Sequence, residues 1–396
     1  MTRLIISTCE RGAPYPFPSG RLYVVDLESR KVVQQTDGLE PPYREIDSNP
    51  RGGMRGMRGL SIRNGELAVA NYSSIFFFDR HWNLLRTFSH PSVSAIHEIL
   101  YVDDGIWVAS TANDLLAKFD LSGELSDFEY IRSKKNLMLQ MGCSLRQTLQ
   151  HNDILSGRLD FRRRTYFKSD VYDRVHLNSF ALAPDGRLFI SLGLIVGEFF
   201  SLLVNLKTIM LSLGIWKVFL SLNRFTRKIL GLKKKMLSEL VVRPARGKSA
   251  VISFDLNGEW QVHLFFSVVH NPSHSIRILD DGTGLYLDTS HGEIIHFDIK
   301  GNILSSTKVT EKFLRGLLIL PNRHLAIGAD NVLLIFDLEI KKIVAEIELS
   351  EDLKTSIFDI QALSSDFDLP PDSLQCRTGR IVGFAGRDIL WEKNPS

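Results

Sequence analysis

The sequence predicts an all-β fold, a six-bladed β-propeller with an inserted amphipathic helical segment. Two observations predict it: a four-strand unit that recurs at a period of about 40 residues, and a Phe-Asp or Val-Asp pair at one fixed point of each unit. A third, an Arg or His near the start of each unit, tells where a functional site would sit.

The units run from Arg58 to Ser89, His97 to Ile131, His274 to Val309 and Arg315 to Leu349, while one begun at His176 breaks off and resumes from Ser249 to Phe265. Alternation and β-branched or aromatic content favour strands over helices. Asn64-Gly65, Asp104-Gly105, Asp185-Gly186 and Asp281-Gly282 supply hairpin turns. Phe78-Asp79, Phe119-Asp120, Phe254-Asp255, Phe297-Asp298 and Phe336-Asp337 mark equivalent third-strand ends. The sixth blade is shared between the two ends of the sequence: LIISTC, GRLYVVDL and KVVQQT give three strands, and SIFDIQAL from Ser356 gives the inner one. Such a closure removes open sheet edges. Five or seven blades are the alternatives.

One propeller accounts for residues 1–396, and 44% hydrophobic with 23% charged residues suits a large folded core. The formal net charge of +3 is uneven, because Val196 to Lys248 holds eleven Lys/Arg against Glu198 and Glu239. An acidic body with one basic segment points to a localised anionic partner and away from nucleic acid. Cys9, Cys143 and Cys376 are too few and scattered for a disulfide framework or a zinc motif. The opening MTRLIISTCERG does not read as a signal peptide, so a cytoplasmic setting is expected.

Arg-Gly-Leu at 58–60, His-Glu-Ile at 97–99, His-Leu-Asn at 176–178, His274, Arg-Gly-Leu at 315–317 and Phe358-Asp359-Ile360 form an ordered set. In this set the chain, from about Met54 to Pro370, resembles a functionally uncharacterised bacterial family of six-bladed propellers. More distantly its design is similar to gluconolactonases, strictosidine synthases and arylsulfate sulfotransferases. The resemblance implies the fold and the channel residues; it implies no activity. The chain departs from that family by a hydrophobic insertion after Gly193.

The first strand of a propeller blade lines the central channel. Arg58, His97, His176, His274 and Arg315 therefore converge at one mouth, with Asp359 in the closing blade and Glu98, Asn178 and His270 close by. Three readings stand side by side. In one, neutral His97, His176 and His274 hold a divalent metal with Glu98 or Asp359 as ligand or supporting carboxylate. In another, Arg58 and Arg315 clamp an anionic group while His97 or His176 acts as acid, base or nucleophile, with Asn178 and His270 at the substrate. In the third, the histidines only fill a polar tunnel. His291 and His296 fall later in their blade and are expected outside the ring, and Arg162-Arg163-Arg164 reads as a solvated loop surface.

Residues 196–237 carry Glu198, Ser201, Asn205, Thr208 and Ser212 at helical intervals opposite a broad apolar face, with Gly214 as a hinge. Lys207 and Lys217 interrupt any clean span of about 18 apolar residues. A wide apolar face followed by Lys233-Lys234-Lys235 fits a helix lying on an anionic membrane surface, at the inner face of the membrane. Packing as a lid or in a dimer is the alternative. Two functions follow: a peripheral-membrane enzyme performing hydrolysis, elimination or transfer on a small hydrophobic or anionic molecule in the channel, or a binding or scaffolding propeller recruited to a membrane. No nucleotide fingerprint is evident, which argues against redox chemistry.

Overall fold

The computed structural model describes residues 3–11, 20–37, 39, 56–143, 149–162, 172–195, 210, 213–215, 218, 221–222, 247–255, 258–268, 271–374, 378–382 and 388–392. Its described residues form six sheets. The first contains β1 (Arg3–Glu10), β2 (Leu22–Asp26) and β3 (Lys31–Thr36). The second is β4 (Leu60–Arg63), β5 (Glu66–Ala70), β6 (Ser74–Asp79) and β7 (Leu84–Ser89). The third is β8 (Ile96–Val102), β9 (Gly105–Ser110), β10 (Leu115–Asp120) and β11 (Leu125–Tyr130). The fourth is β12 (Leu177–Leu182), β13 (Leu188–Ile195), β14 (Gly247–Phe254) and β15 (Trp260–Val268). The fifth is β16 (His274–Ile278), β17 (Gly284–Asp288), β18 (Glu293–Phe297) and β19 (Ile303–Lys308). The sixth is β20 (Leu314–Ile319), β21 (His324–Ala329), β22 (Val332–Asp337) and β23 (Lys342–Glu348).

β24 (Thr355–Leu363) returns to the first sheet and pairs antiparallel with β1 as its innermost strand. The six inner strands then touch in a closed cycle: β24 with β4, β4 with β8, β8 with β12, β12 with β16, β16 with β20, and β20 with β24. Six apolar cores alternate with the six blades, and the one joining the first and last blades is built from Leu4, Ile6, Tyr23, Ala326, Leu333 and Ile357 among others. The protein is a six-bladed β-propeller. β25 (Thr378–Val382) and β26 (Asp388–Glu392) extend the second blade outward, β25 running parallel to β7.

Each blade's sequence pattern follows its place in this packing. Middle strands such as Leu22–Asp26 and Ser74–Asp79 are apolar nearly throughout, because neighbouring blades cover both faces. The outer strands β3 and β23 alternate exposed with covered residues, since water wets one side. The Asp that ends each third strand turns the chain. Asp79, Asp120 and Asp298 each accept two backbone N–H groups, two and four residues on. Asn64-Gly65 forms its expected tight hairpin, both residues with positive φ and Arg63 paired to Glu66. Asp104-Gly105 does not: the turn is Asp103-Asp104, and Gly105 begins β9 where a Cβ would strike the Phe119 carbonyl.

The inserted segment 196–237 lies almost wholly outside the described residues. Its flanks do not: β13 ends and β14 begins at the same mouth as His176, whose carbonyl accepts the Gly193 N–H at 3.0 Å. Among the described residues, no helix is long and apolar enough to cross a membrane. Arg162, expected on a solvated surface, is instead 2% exposed and paired to Asp160 at 2.8 Å, with a further bond to the Ser89 hydroxyl. Burying the guanidinium against a carboxylate and a hydroxyl satisfies it where water cannot. Arg163 and Arg164 lie outside the described residues.

Candidate functional site

Backbone irregularity builds the channel mouth. In five of the six inner strands the ladder slips at the point where the channel residues sit. His97 and Glu98 together oppose Ala109. Asn178 is an extra residue in β12, Ser275 in β16 and Phe358 in β24. Arg315 and Gly316 together oppose Gly328. A bulge bends its strand and re-aims the side chains beside it. Ala95, His176, Ser275 and Gly316 take positive φ at these bulges, a conformation that only Gly316 adopts without steric cost.

The result is a cluster of three imidazoles from three blades. The ring centroids of His97 and His176 are 5.3 Å apart, those of His97 and His274 6.1 Å, and those of His176 and His274 6.3 Å. One nitrogen from each ring lies within 4.8 Å of the other two. Nitrogens sharing a tetrahedral ion at roughly 2.1 Å would be about 3.4 Å apart, so a modest inward shift closes the site.

Hydrogen bonding fixes which nitrogen faces outward. Thr111 donates its single hydroxyl proton to the Leu177 carbonyl, so toward His97 Nδ1, 2.8 Å away, it accepts. The Ala95 carbonyl is a second acceptor for that nitrogen at 2.8 Å. Thr289 repeats the device, donating to the Leu314 carbonyl at 2.8 Å and accepting from His274 Nδ1 at 3.2 Å. His176 Nδ1 meets the Asp173 carboxylate at 2.9 Å. His97 and His274 therefore carry hydrogen on Nδ1 and leave Nε2 bare, the form in which imidazole binds a metal, while the Asp173 carboxylate orients His176 through Nδ1. Asp114 holds the loop that bears Asp173 and His176, accepting the backbone N–H groups of Arg174, Val175 and His176.

Electrostatics keep His97 and His274 neutral. Burial, then Arg315 and Arg58, push the pKa of His97 well below its ordinary value, and burial with Arg315 does the same to His274. Both arginines stack on Phe358, Arg315 at 3.2 Å and Arg58 at 5.0 Å from the ring centroid. Arg58 also donates from Nη1 to the Ile96 carbonyl at 2.8 Å. Arg315 has Nη2 out of reach of solvent and without a hydrogen-bond partner.

Glu98 and Asp359, expected beside the metal, are engaged elsewhere. Arg277 pairs with Glu98 through Nη1 and with Asp359 through Nη2 at 3.4 Å. Asp359 also accepts the N–H groups of Leu60 and Ile360 at 2.8 Å. Among the described residues, only the three histidines gather as a donor cluster. Asn178 is likewise occupied in the wall: its amide donates to the Ser273 carbonyl and its oxygen accepts from Ser191 at 2.9 Å. His270 lies outside the described residues. His291 pairs with Asp288, and His296 with Thr283.

Thr111, Thr289, Asp173 and Arg277 were not singled out from the sequence. A signal existed for the two threonines, since each directly follows the second strand of a histidine-bearing blade.

No family model matches the chain, and no curated protein matches its sequence. Solved structures do resemble it. A protein of unknown function from Bacteroides caccae matches with a TM-score of 0.50 at 10% identity, covering 92% of this chain and 99% of that one. A chain in the crystal structure of a nidogen/laminin complex matches with a TM-score of 0.53 at 10% identity and the same coverages, 92% and 99%. Virginiamycin B lyase from Staphylococcus aureus gives 0.43 at 10% identity, over 84% of this chain and 78% of that one. At such identity the likeness establishes the propeller architecture and carries nothing of the chemistry in the channel.

Proposed function

We propose that the protein is a propeller enzyme whose channel mouth holds a divalent metal on His97, His176 and His274. The observation that carries this reading is the convergence of three imidazoles, one nitrogen of each within 4.8 Å of the other two, with every ring oriented by a separate Nδ1 partner. A core that merely filled its channel has no need to orient three rings alike through Nδ1. Three protein nitrogens leave at least one coordination position open, as catalytic sites do. A metal there would supply Lewis-acid polarisation of a substrate oxygen or a bound water of lowered pKa. The chain's own part is to keep His97 and His274 neutral, orient His176 through Asp173, and wall the site with Phe358 and Phe313, which lie 5.4 Å from His97 and 5.3 Å from His274. Hydrolysis, elimination or group transfer on a small molecule is the reaction class.

The test is metal content after purification without tag or chelator, beside a His97→Ala/His176→Ala variant. Close to one ion per chain, lost in the variant, is expected. No metal in the wild type after incubation with zinc, manganese and iron in turn would refute the reading.

We propose further that residues 196–237 rest on an anionic membrane surface. Support comes from their amphipathic pattern and from their departure at the histidine mouth. Removal of residues 197–236 should abolish sedimentation with phosphatidylserine vesicles while the melting transition persists; unchanged sedimentation would refute it.

A further inference from the structure

We propose that Arg315 is the seat for an oxyanion of the substrate, so that the channel takes a small carboxylate or phosphate ester. This rests on reading the channel mouth as a ligand site and narrows what that ligand is. A guanidinium is charged at every physiological pH and offers five donors. Proteins bury one only against a carboxylate, a carbonyl or a bound anion, because an uncompensated interior cation is costly.

Arg315 is part-exposed as a residue, yet it lacks such compensation at Nη2. Among the described residues it makes no ion pair, and its Nη2 is buried without an acceptor. Its Cζ lies 3.2 Å above Phe358, which neutralises nothing. The carboxylates that could have served, Glu98 and Asp359, are drawn to Arg277. Further cations stand near: Arg58 shares the Phe358 ring, and Arg11, 4.0 Å from Asp330, lies 4.5 Å over Phe313, the ring against His274. Burial pushes the Arg315 pKa well below its ordinary value; Cys9 opposes this next in size, Arg58 and Arg11 add to the lowering, and Asp359 opposes it least. The free protein thus carries an electrostatic deficit that one bound oxyanion would relieve.

The placement matches the metal reading. Phe358 carries Arg315 on its face and His97 at 5.4 Å, so a molecule of a few heavy atoms can touch both the guanidinium and the histidine cluster. An anionic group held by Arg315 would set the rest of the molecule against the open coordination position. Arg58, already tied to the Ile96 carbonyl, is better read as a neighbour that raises the local potential than as the second arm of a clamp.

The experiment uses the full chain stripped of metal with a chelator, so that the outcome depends on the arginine alone. Thermal midpoints are measured with inorganic phosphate and with malonate, against chloride at matched ionic strength. The wild type should gain stability with at least one oxyanion, as ligand linkage requires. Arg315→Met should lose that gain, with anion affinity falling about tenfold or more, the worth of a charge-assisted bond. Arg315→Lys should fall between them, and it takes the place of Arg315→Met if that variant does not fold. The anion that gives the larger gain names the class. No gain in the wild type, or an equal gain in the wild type and the variants, would overturn the proposal. Metal content of the wild type is measured separately, so a failed metal reading and a failed anion seat give different results.

Discussion

Two clusters stand a few residues apart on the same inner strands. Around Arg277 the wall closes its own charges: one guanidinium lies between Glu98 and Asp359, and Asp359 takes two backbone N–H groups besides. One residue back on β8, and three back on β16, His97 and His274 present bare nitrogens, with Arg315 unpaired beside them. The first arrangement is complete without a ligand. The second has fixed its tautomers and left its outward valences unused, which leaves part of the recognition to something that arrives later. Buried charge alone therefore does not mark a site; what marks it is charge and lone pairs left unsatisfied in a wall that satisfies them a few ångströms away.

The widest separation between the clusters should come from removing each in turn. Arg277→Met leaves two carboxylates buried together, and breaking a buried pair by one partner costs about 3–5 kcal/mol. Its urea midpoint should drop accordingly, while the folded fraction still loads metal. His97→Ala/His176→Ala should do the reverse, with loading lost and stability changed by no more than about 2 kcal/mol. If Arg277→Met lost metal at unchanged stability, the division between a structural and a functional cluster would collapse.

A smaller effect probes how the histidines are held. Thr111→Val keeps shape but removes the acceptor at His97 Nδ1 and the donor to the Leu177 carbonyl. Loss of such a supporting partner lowers metal affinity about 10–100-fold. Thr111→Ser retains the hydroxyl and should restore most of it. Equal affinity in the valine and serine variants, by competition with a metallochromic chelator, would mean that His97 needs no such support.

How much of this was legible in the sequence depended on whether a residue type dictates its surroundings. Phe78-Asp79 and its four counterparts did, because an Asp ending a buried strand is almost obliged to cap the turn that follows. His97, His176, His274 and Arg315 were legible through position in the repeat. The bulges were not, since slipping the ladder by one residue needs no particular side chain, and they decide that Phe358 faces the histidines while Asp359 goes to Arg277. Arg277 was hidden for a related reason: in HSIRI it reads as an ordinary polar position of an alternating strand. Its partners come from β8 and β24, far away in sequence. The second blade's added strands were not legible either, since neither TGRIV nor DILWE alternates polar with apolar residues.

Acid gives the finest test, because the two clusters respond with opposite sign. His97 and His274 have pKa values held below the ordinary 6.5 by burial first and then by Arg315. The unfolded chain binds protons there before the folded one does, so their contribution is present above pH 6.5 and is lost as pH falls below it. Asp359 is raised to about 7 by burial and by Glu98, against Arg277. Its contribution is present below the unfolded value of about 3.9 and is lost as pH rises through the folded one. Over about pH 5 to 6.5 the two oppose one another in the metal-free wild type, each titrating group carrying a slope near 1.4 kcal/mol per pH unit. Removing one side should expose the other. Asp359→Asn should lose stability more steeply with acid than the wild type, and His97→Ala less steeply, in urea midpoints measured across that range. Parallel slopes in all three proteins would show that the two clusters titrate as one, and that the wall does not separate a self-neutralised structure from an open site.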